Sequence, residues 1–83
     1  MTDEKARLAR EISARVADLE PQLIAIRRDI HAHPELGFDT VRTAEIVASW
    51  LRAHGLTPQT GVGRTGVLVD IVGAQPGKTL LLR

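Results

Sequence analysis

The chain has 83 residues and a mass of 9.0 kDa. That makes at most one small domain, and a chain of this size buries only about 60 to 65% of its unfolded surface. Phe38 and Trp50 are its two aromatics against an apolar fraction of 43%, so any core must come from Leu, Ile, Val and Ala. Eleven Lys and Arg against ten Asp and Glu leave a net charge of +1, which supplies no long-range field to recruit nucleic acid or anionic lipid. With no cysteine there is no disulfide, thiolate ligand or thiol redox chemistry, and any metal must be held by His and carboxylates.

The amino end is charged and carries Asp3 and Glu4, and no run of eighteen apolar residues occurs in the sequence. These features predict a cytoplasmic chain with neither a secretion signal nor a membrane span. Thr2 is placed to cap a helix whose first turn holds Asp3 and Glu4 at the positive end of the dipole. Leu8, Ile12, Val16, Leu19, Leu23, Ile26 and Ile30 recur at spacings of three or four, a helical stripe expected to bury one face. Pro21 interrupts the stripe, leaving two readings open: a kink, or a break with Asp18 capping a second helix.

The helix should stop near His33, because Pro34 disfavours helical angles in its predecessor and Gly37 follows. Asp39 or Thr40 can cap the next helix, with an apolar face of Val41, Ala44, Val47, Ala48 and Leu51, Trp50 at the flank, and Gly55 as a left-handed terminator. Past Gly55 the period changes. Leu56 to Thr60 reads as a short strand, Gly61 to Gly66 as a glycine-rich loop, and Val67 to Val72 as a β-branched strand. Gly73 to Gly77 makes a turn, and Leu80, Leu81 and Leu82 begin another buried strand that stops at Arg83 without turn or polar tail. The expected architecture is α+β in appearance, helices followed by a strand pair, and residues 1–83 read as an incomplete part of one domain.

Several residue groups invite a chemical reading. Gly61, Gly63 and Gly66 spell G-x-G-x-x-G, but a β-branched strand follows where a dinucleotide site needs a helix, and the nearest downstream acid, Asp70, lies inside that strand. Gly73-Ala74-Gln75-Pro76-Gly77-Lys78-Thr79 imitates a phosphate loop but has three residues between its glycines where four are needed. One of the three, Pro76, lacks an amide hydrogen, so a hairpin turn with Lys78 flanking a strand is the plainer reading.

His31 and His33, two apart, point in different directions on a helix, so ligation would require unwinding. A histidine in a last turn more simply bonds to a free carbonyl, and His54 before Gly55 reads the same way. Glu35 and Asp39 flank the Leu36-Gly37-Phe38 bend as a candidate acid and base pair, although capping accounts for Asp39. Arg27, Arg28 and Asp29 read as a solvated helix face. No residue of the chain is assigned a catalytic or metal-binding role on this reading.

The stretch Arg27-Arg28-Asp29-Ile30-His31-Ala32-His33-Pro34-Glu35-Leu36-Gly37-Phe38 closely resembles the amino-terminal signature of metal-dependent amidohydrolases related to hippurate hydrolase and the indole-acetyl-amino-acid hydrolases. The order of the later segments fits as well: Leu51 to Leu56, then Gly66 to Gly73, then Lys78 to Arg83, so the resemblance covers Leu23 to Arg83. It implies an α/β catalytic domain interrupted by a smaller lid or dimerisation domain, with a homodimer as one expected assembly. It also implies two divalent metal ions, zinc or manganese, that activate a water for attack on an amide carbonyl while an acidic side chain serves as base. The implied substrates are N-acyl amino acids and related small amides. The Cys, His and Glu ligands that the family uses lie beyond Arg83, so His31, His33 and Glu35 fall to the scaffold and the 83 residues alone should be inactive. The rival readings are a phosphate-loop nucleotide-binding domain, which needs a helix opening at Thr79, and a noncatalytic helical interaction module built on the Leu8 to Ile30 stripe.

Overall fold

The computed structural model describes residues 2–83. Its elements are helix α1 (Thr2–Ala32), helix α2 (Val41–Ala53), and strands β1 (Gln59–Val62) and β2 (Gly66–Leu68), which form a two-stranded antiparallel sheet. The expected helices followed by a strand pair are therefore present. The chain divides into two compact units, residues 1–35 and residues 36–83.

The first unit is one 31-residue helix, about 46 Å long at 1.5 Å per residue. Asp3 and Glu4 occupy its first turn, negative charges at the end where the dipole favours them, and His31 lies in its last turn. The side chain of Thr2, the expected cap, lies outside the described residues. Helix α1 runs through Pro21 without a break, so Asp18 is an interior residue and caps nothing. Proline has no amide hydrogen, which leaves the Ala17 carbonyl without its intrahelical donor and costs about 3 kcal/mol relative to a good helix former.

The expectation that the stripe of α1 is buried is corrected by the structure. Leu8 (55%), Ile12 (53%), Val16 (51%) and Leu23 (43%) are exposed, and only Leu19, Ile26 and Ile30 are half-buried. Periodicity marks the face that a helix offers to a neighbour, but the neighbour must exist for the face to be covered.

The second unit is built by local rules. Thr40 precedes α2 as its N-cap but makes no side-chain capping bond, although its carbonyl accepts the first helical bond from Ala44 at 3.0 Å. At the other end, Gly55 takes φ +79°, the Leu56 amide donates to the Leu51 carbonyl (3.0 Å), and the Gly55 amide donates to Arg52 (3.1 Å). This pair of bonds is a Schellman termination, which requires a left-handed residue where Gly55 stands. Ala48 is completely buried, flanked by half-buried Ala44, Ile46, Trp50 and Leu51, while Val41 and Val47 are exposed. The covered face is thus rotated from the expected one, toward the row containing Ile46 and Trp50. Helix α2 lies against β2.

The two strands pair Gln59 with Leu68 and Val62 with Gly66, a register that slips by one residue between the pairs. Gly61 lies within the slip at φ +71°, the left-handed geometry that an extra residue on one strand requires. The expected Gly61 to Gly66 loop narrows to a turn at Gly63, Arg64 and Thr65. Strand β2 ends at Leu68, four residues short of the expected Val72, because β1 offers only four residues to pair with.

Past Leu68 two expectations fail together. Gly73 to Gly77 holds a bend at Ala74 and Gln75 with no strand on either side, and Leu80, Leu81 and Leu82 form no strand and are 83%, 77% and 85% exposed. A leucine run becomes a strand only when a neighbour supplies ladder partners and cover, and no described residue pairs with this one.

Candidate functional site

The signature stretch Arg27 to Phe38 spans the end of the first unit and the start of the second. In the first, the His33 Nδ1–H donates to the Asp29 carbonyl at 3.0 Å, with the Asp29 carboxylate oxygen 3.4 Å from the same nitrogen. The carbonyl only accepts, so the bond fixes the proton on Nδ1. His54 repeats the arrangement at the end of α2: its Nδ1–H donates to the Trp50 carbonyl at 2.7 Å, and its ring stacks on the indole with centroids 4.1 Å apart. Both histidines satisfy carbonyls that the helix end leaves open. Glu35 is half-buried, whereas His31 and Asp39 are exposed.

In the second unit the signature turns sharply. Gly37 adopts φ +57°, and the Asp39 amide donates to the Leu36 carbonyl at 2.9 Å, closing a turn that leaves Leu36 and Phe38 in solvent. Two side chains of the hairpin turn reach this bend: the Arg64 guanidinium sits 4.5 Å over the Phe38 ring, and the Thr65 and Thr40 hydroxyls share a hydrogen bond. Arg64 is held at φ +91°, outside the regions comfortable for a residue with a Cβ. Neither Arg64 nor Thr65 stands out in the sequence, because the pairings close across about 25 residues and no periodic pattern marks them.

Measured against the chemistry expected of the family, these residues do not fit a metal centre. Among the described residues no three His, Cys, Asp or Glu side chains come together as a ligand group. The Nδ1 nitrogens of His33 and His54 are committed to carbonyls on different helices. The glycine patterns also lack the frame they need: Gly66 opens a strand, and no helix begins at Thr79. Among the described residues, no helix is long and apolar enough to cross a membrane.

The resemblance read from Arg27 to Phe38 extends over almost the whole chain. Over 77 residues, 92% of its length, it is 40% identical to thermostable carboxypeptidase 1 of Saccharolobus solfataricus, of which it covers 20%. Over 73 residues, 88% of its length, it is 36% identical to the N-acyl-L-amino acid amidohydrolase of Geobacillus stearothermophilus, again covering 20%. With the hippurate hydrolase of Campylobacter jejuni it shares 37% identity over 68 residues, 82% of the chain and 18% of that enzyme. The chain spans about one fifth of the length of the curated relatives it matches. No protein-family model matches it, and no solved structure matches it significantly. These three relatives are named as hydrolases of the kind that the signature pointed to, and the chain is homologous to them.

Proposed function

We propose, from this homology with amidohydrolases and carboxypeptidases, that residues 1–83 are the amino-terminal scaffold of the catalytic domain of a cytoplasmic amidohydrolase that cleaves N-acyl amino acids or related small amides. The observation that carries the reading is 36–40% identity across about nine tenths of the chain, which includes the Asp29 to Phe38 segment. The geometry is consistent with scaffold. His33 and His54 finish helices, Gly37 and Gly55 turn the backbone, and Arg64 and Thr65 hold the bend after the first unit. The divalent ions of such an enzyme, zinc or manganese, are held on this reading by residues outside 1–83, and a homodimer is the proposed assembly of the whole enzyme.

An exchange tests it. Residues 1–83 replace the aligned stretch of the Geobacillus N-acyl-L-amino acid amidohydrolase, and metal content and hydrolysis of an N-acyl amino acid are measured for the chimera and for the 83-residue chain alone. The expected result is a chimera that retains metal and turns over while the isolated chain does neither. Turnover by the isolated chain, or a folded chimera that has lost its metal, contradicts the reading.

A further inference from the structure

Two residues of the second unit forgo the stability that their own neighbourhood would supply, and both do so at the same contact. Thr40 stands at the N-cap of α2, where a threonine hydroxyl ordinarily accepts a bond from an amide of the first helical turn on an extended backbone. Here the backbone sits at φ −113° and ψ 35°, the side chain makes no capping bond, and the hydroxyl is bonded instead to that of Thr65. No acidic residue in the first turn of α2 compensates. Arg64 is the second case. Gly63 at φ +56° and Arg64 at φ +91° follow the pattern of a type I′ turn, in which both central residues need positive φ and Gly or Asn is the usual occupant. An arginine is held there with its guanidinium over Phe38.

We infer that the hairpin turn is a latch on the signature bend: the Thr65 hydroxyl and the Arg64 guanidinium hold Thr40 and Phe38, the residues on either side of Asp39, and so set where the bend ends and α2 begins. One hydroxyl serves two competing partners. Latched, Thr40 bonds to Thr65, and the turn closed by the Asp39 amide on the Leu36 carbonyl is tied to the hairpin. Released, the same hydroxyl is able to take the capping bond, so opening the latch loosens the bend without unwinding α2. Both threonines are half-buried, which favours the bond between them, since each hydroxyl would otherwise lose water with nothing in return. Because the contact joins residues 25 apart, order in the bend is conditional on the hairpin having formed. The latch lies wholly within residues 36–83 and does not rest on the proposed function.

Amide exchange measured by NMR on the 83-residue chain tests the latch. Thr65→Val and Thr40→Val are each expected to speed exchange of the Asp39 amide about tenfold, the net strength of one hydrogen bond, and the double variant to speed it no further, since both remove the same bond. Thr65→Ser keeps the hydroxyl and should match wild type. The start of α2 answers differently. Protection of the Arg42 and Thr43 amides should be about fivefold higher in Thr65→Val than in Thr40→Val, because only the former leaves a hydroxyl at the cap. Arg64→Asn, which tolerates positive φ but removes the cation, should speed Asp39 exchange about threefold while the cross-strand amides of β1 and β2 stay protected. Were Thr65→Val to lose those cross-strand amides, Arg64→Asn carries the same test through the other contact. An Asp39 amide indifferent to Thr65→Val or to Arg64→Asn, single effects that add in the double variant, or a Thr65→Ser chain that behaves like Thr65→Val overturns the inference. So does a first turn of α2 that weakens in Thr40→Val while Thr65→Val changes nothing, the pattern of an ordinary cap.

Discussion

Helices α1 and α2 are built on the same periodic rule and end in different circumstances. Helix α2, of 13 residues, closes with two amide-to-carbonyl bonds around Gly55 and buries Ala48 completely beside β2. Helix α1, of 31 residues and with a longer apolar stripe, leaves most of that stripe exposed and carries a proline in its interior. An apolar face is an offer. What decides burial is whether another element within reach accepts it, and length of pattern cannot substitute for that.

The contrast is broken most severely at Ala48. Ala48→Asp places an unpaired charge where no solvent reaches and should cost the second unit about 3 kcal/mol or more. Amide hydrogen exchange across residues 41–53 is expected to lose its protection while α1 keeps its own. Equal loss in both helices would show that they depend on one another. At Pro21 the contrast sharpens in the other direction. Pro21→Ala restores a donor to the Ala17 carbonyl and should stabilise α1 by up to about 3 kcal/mol, read as a higher helical signal and a higher denaturant midpoint. No change in helicity would mean that the helix is broken at this point.

Smaller effects are expected in the hairpin. A Cβ built on Gly66 runs into the Val62 carbonyl oxygen, a backbone atom that cannot swing aside. Gly66→Ala should therefore cost about 1 to 3 kcal/mol and erase the cross-strand amide signals of β1 and β2. The least change belongs to Arg64. Replacing it with glycine relieves a backbone at φ +91° and forfeits the cation resting 4.5 Å over Phe38. The two terms oppose each other at about 1 kcal/mol apiece, so Arg64→Gly should leave the thermal midpoint of the second unit within a few degrees of wild type.

Much of this was legible before the structure. Helix α2, its stop at Gly55 and the roles of His33 and His54 at helix ends follow from residues within one turn of each other, where capping chemistry is nearly self-contained. The narrowing of the Gly61 to Gly66 loop into a turn was not legible, because the slipped register depends on which residues of two strands meet. Nor was the lack of a strand at Leu80 to Leu82, since ladder partners are not encoded in the segment that needs them. The pairing of Arg64 with Phe38 and of Thr65 with Thr40 escaped for the same reason. The resemblance to amidohydrolases rested on Arg27 to Phe38, and that stretch proves to shape the backbone with its glycine and a helix end with its histidine.

Zinc titration of the purified 83-residue chain, followed by calorimetry at neutral pH, tests most directly whether these residues are scaffold and not machinery. With His33 and His54 committed to carbonyls on separate helices and no convergent set of donors among the described residues, no stoichiometric zinc uptake is expected. One ion or two bound per chain with micromolar affinity or better, and released by Glu35→Gln or His31→Ala, would contradict that account.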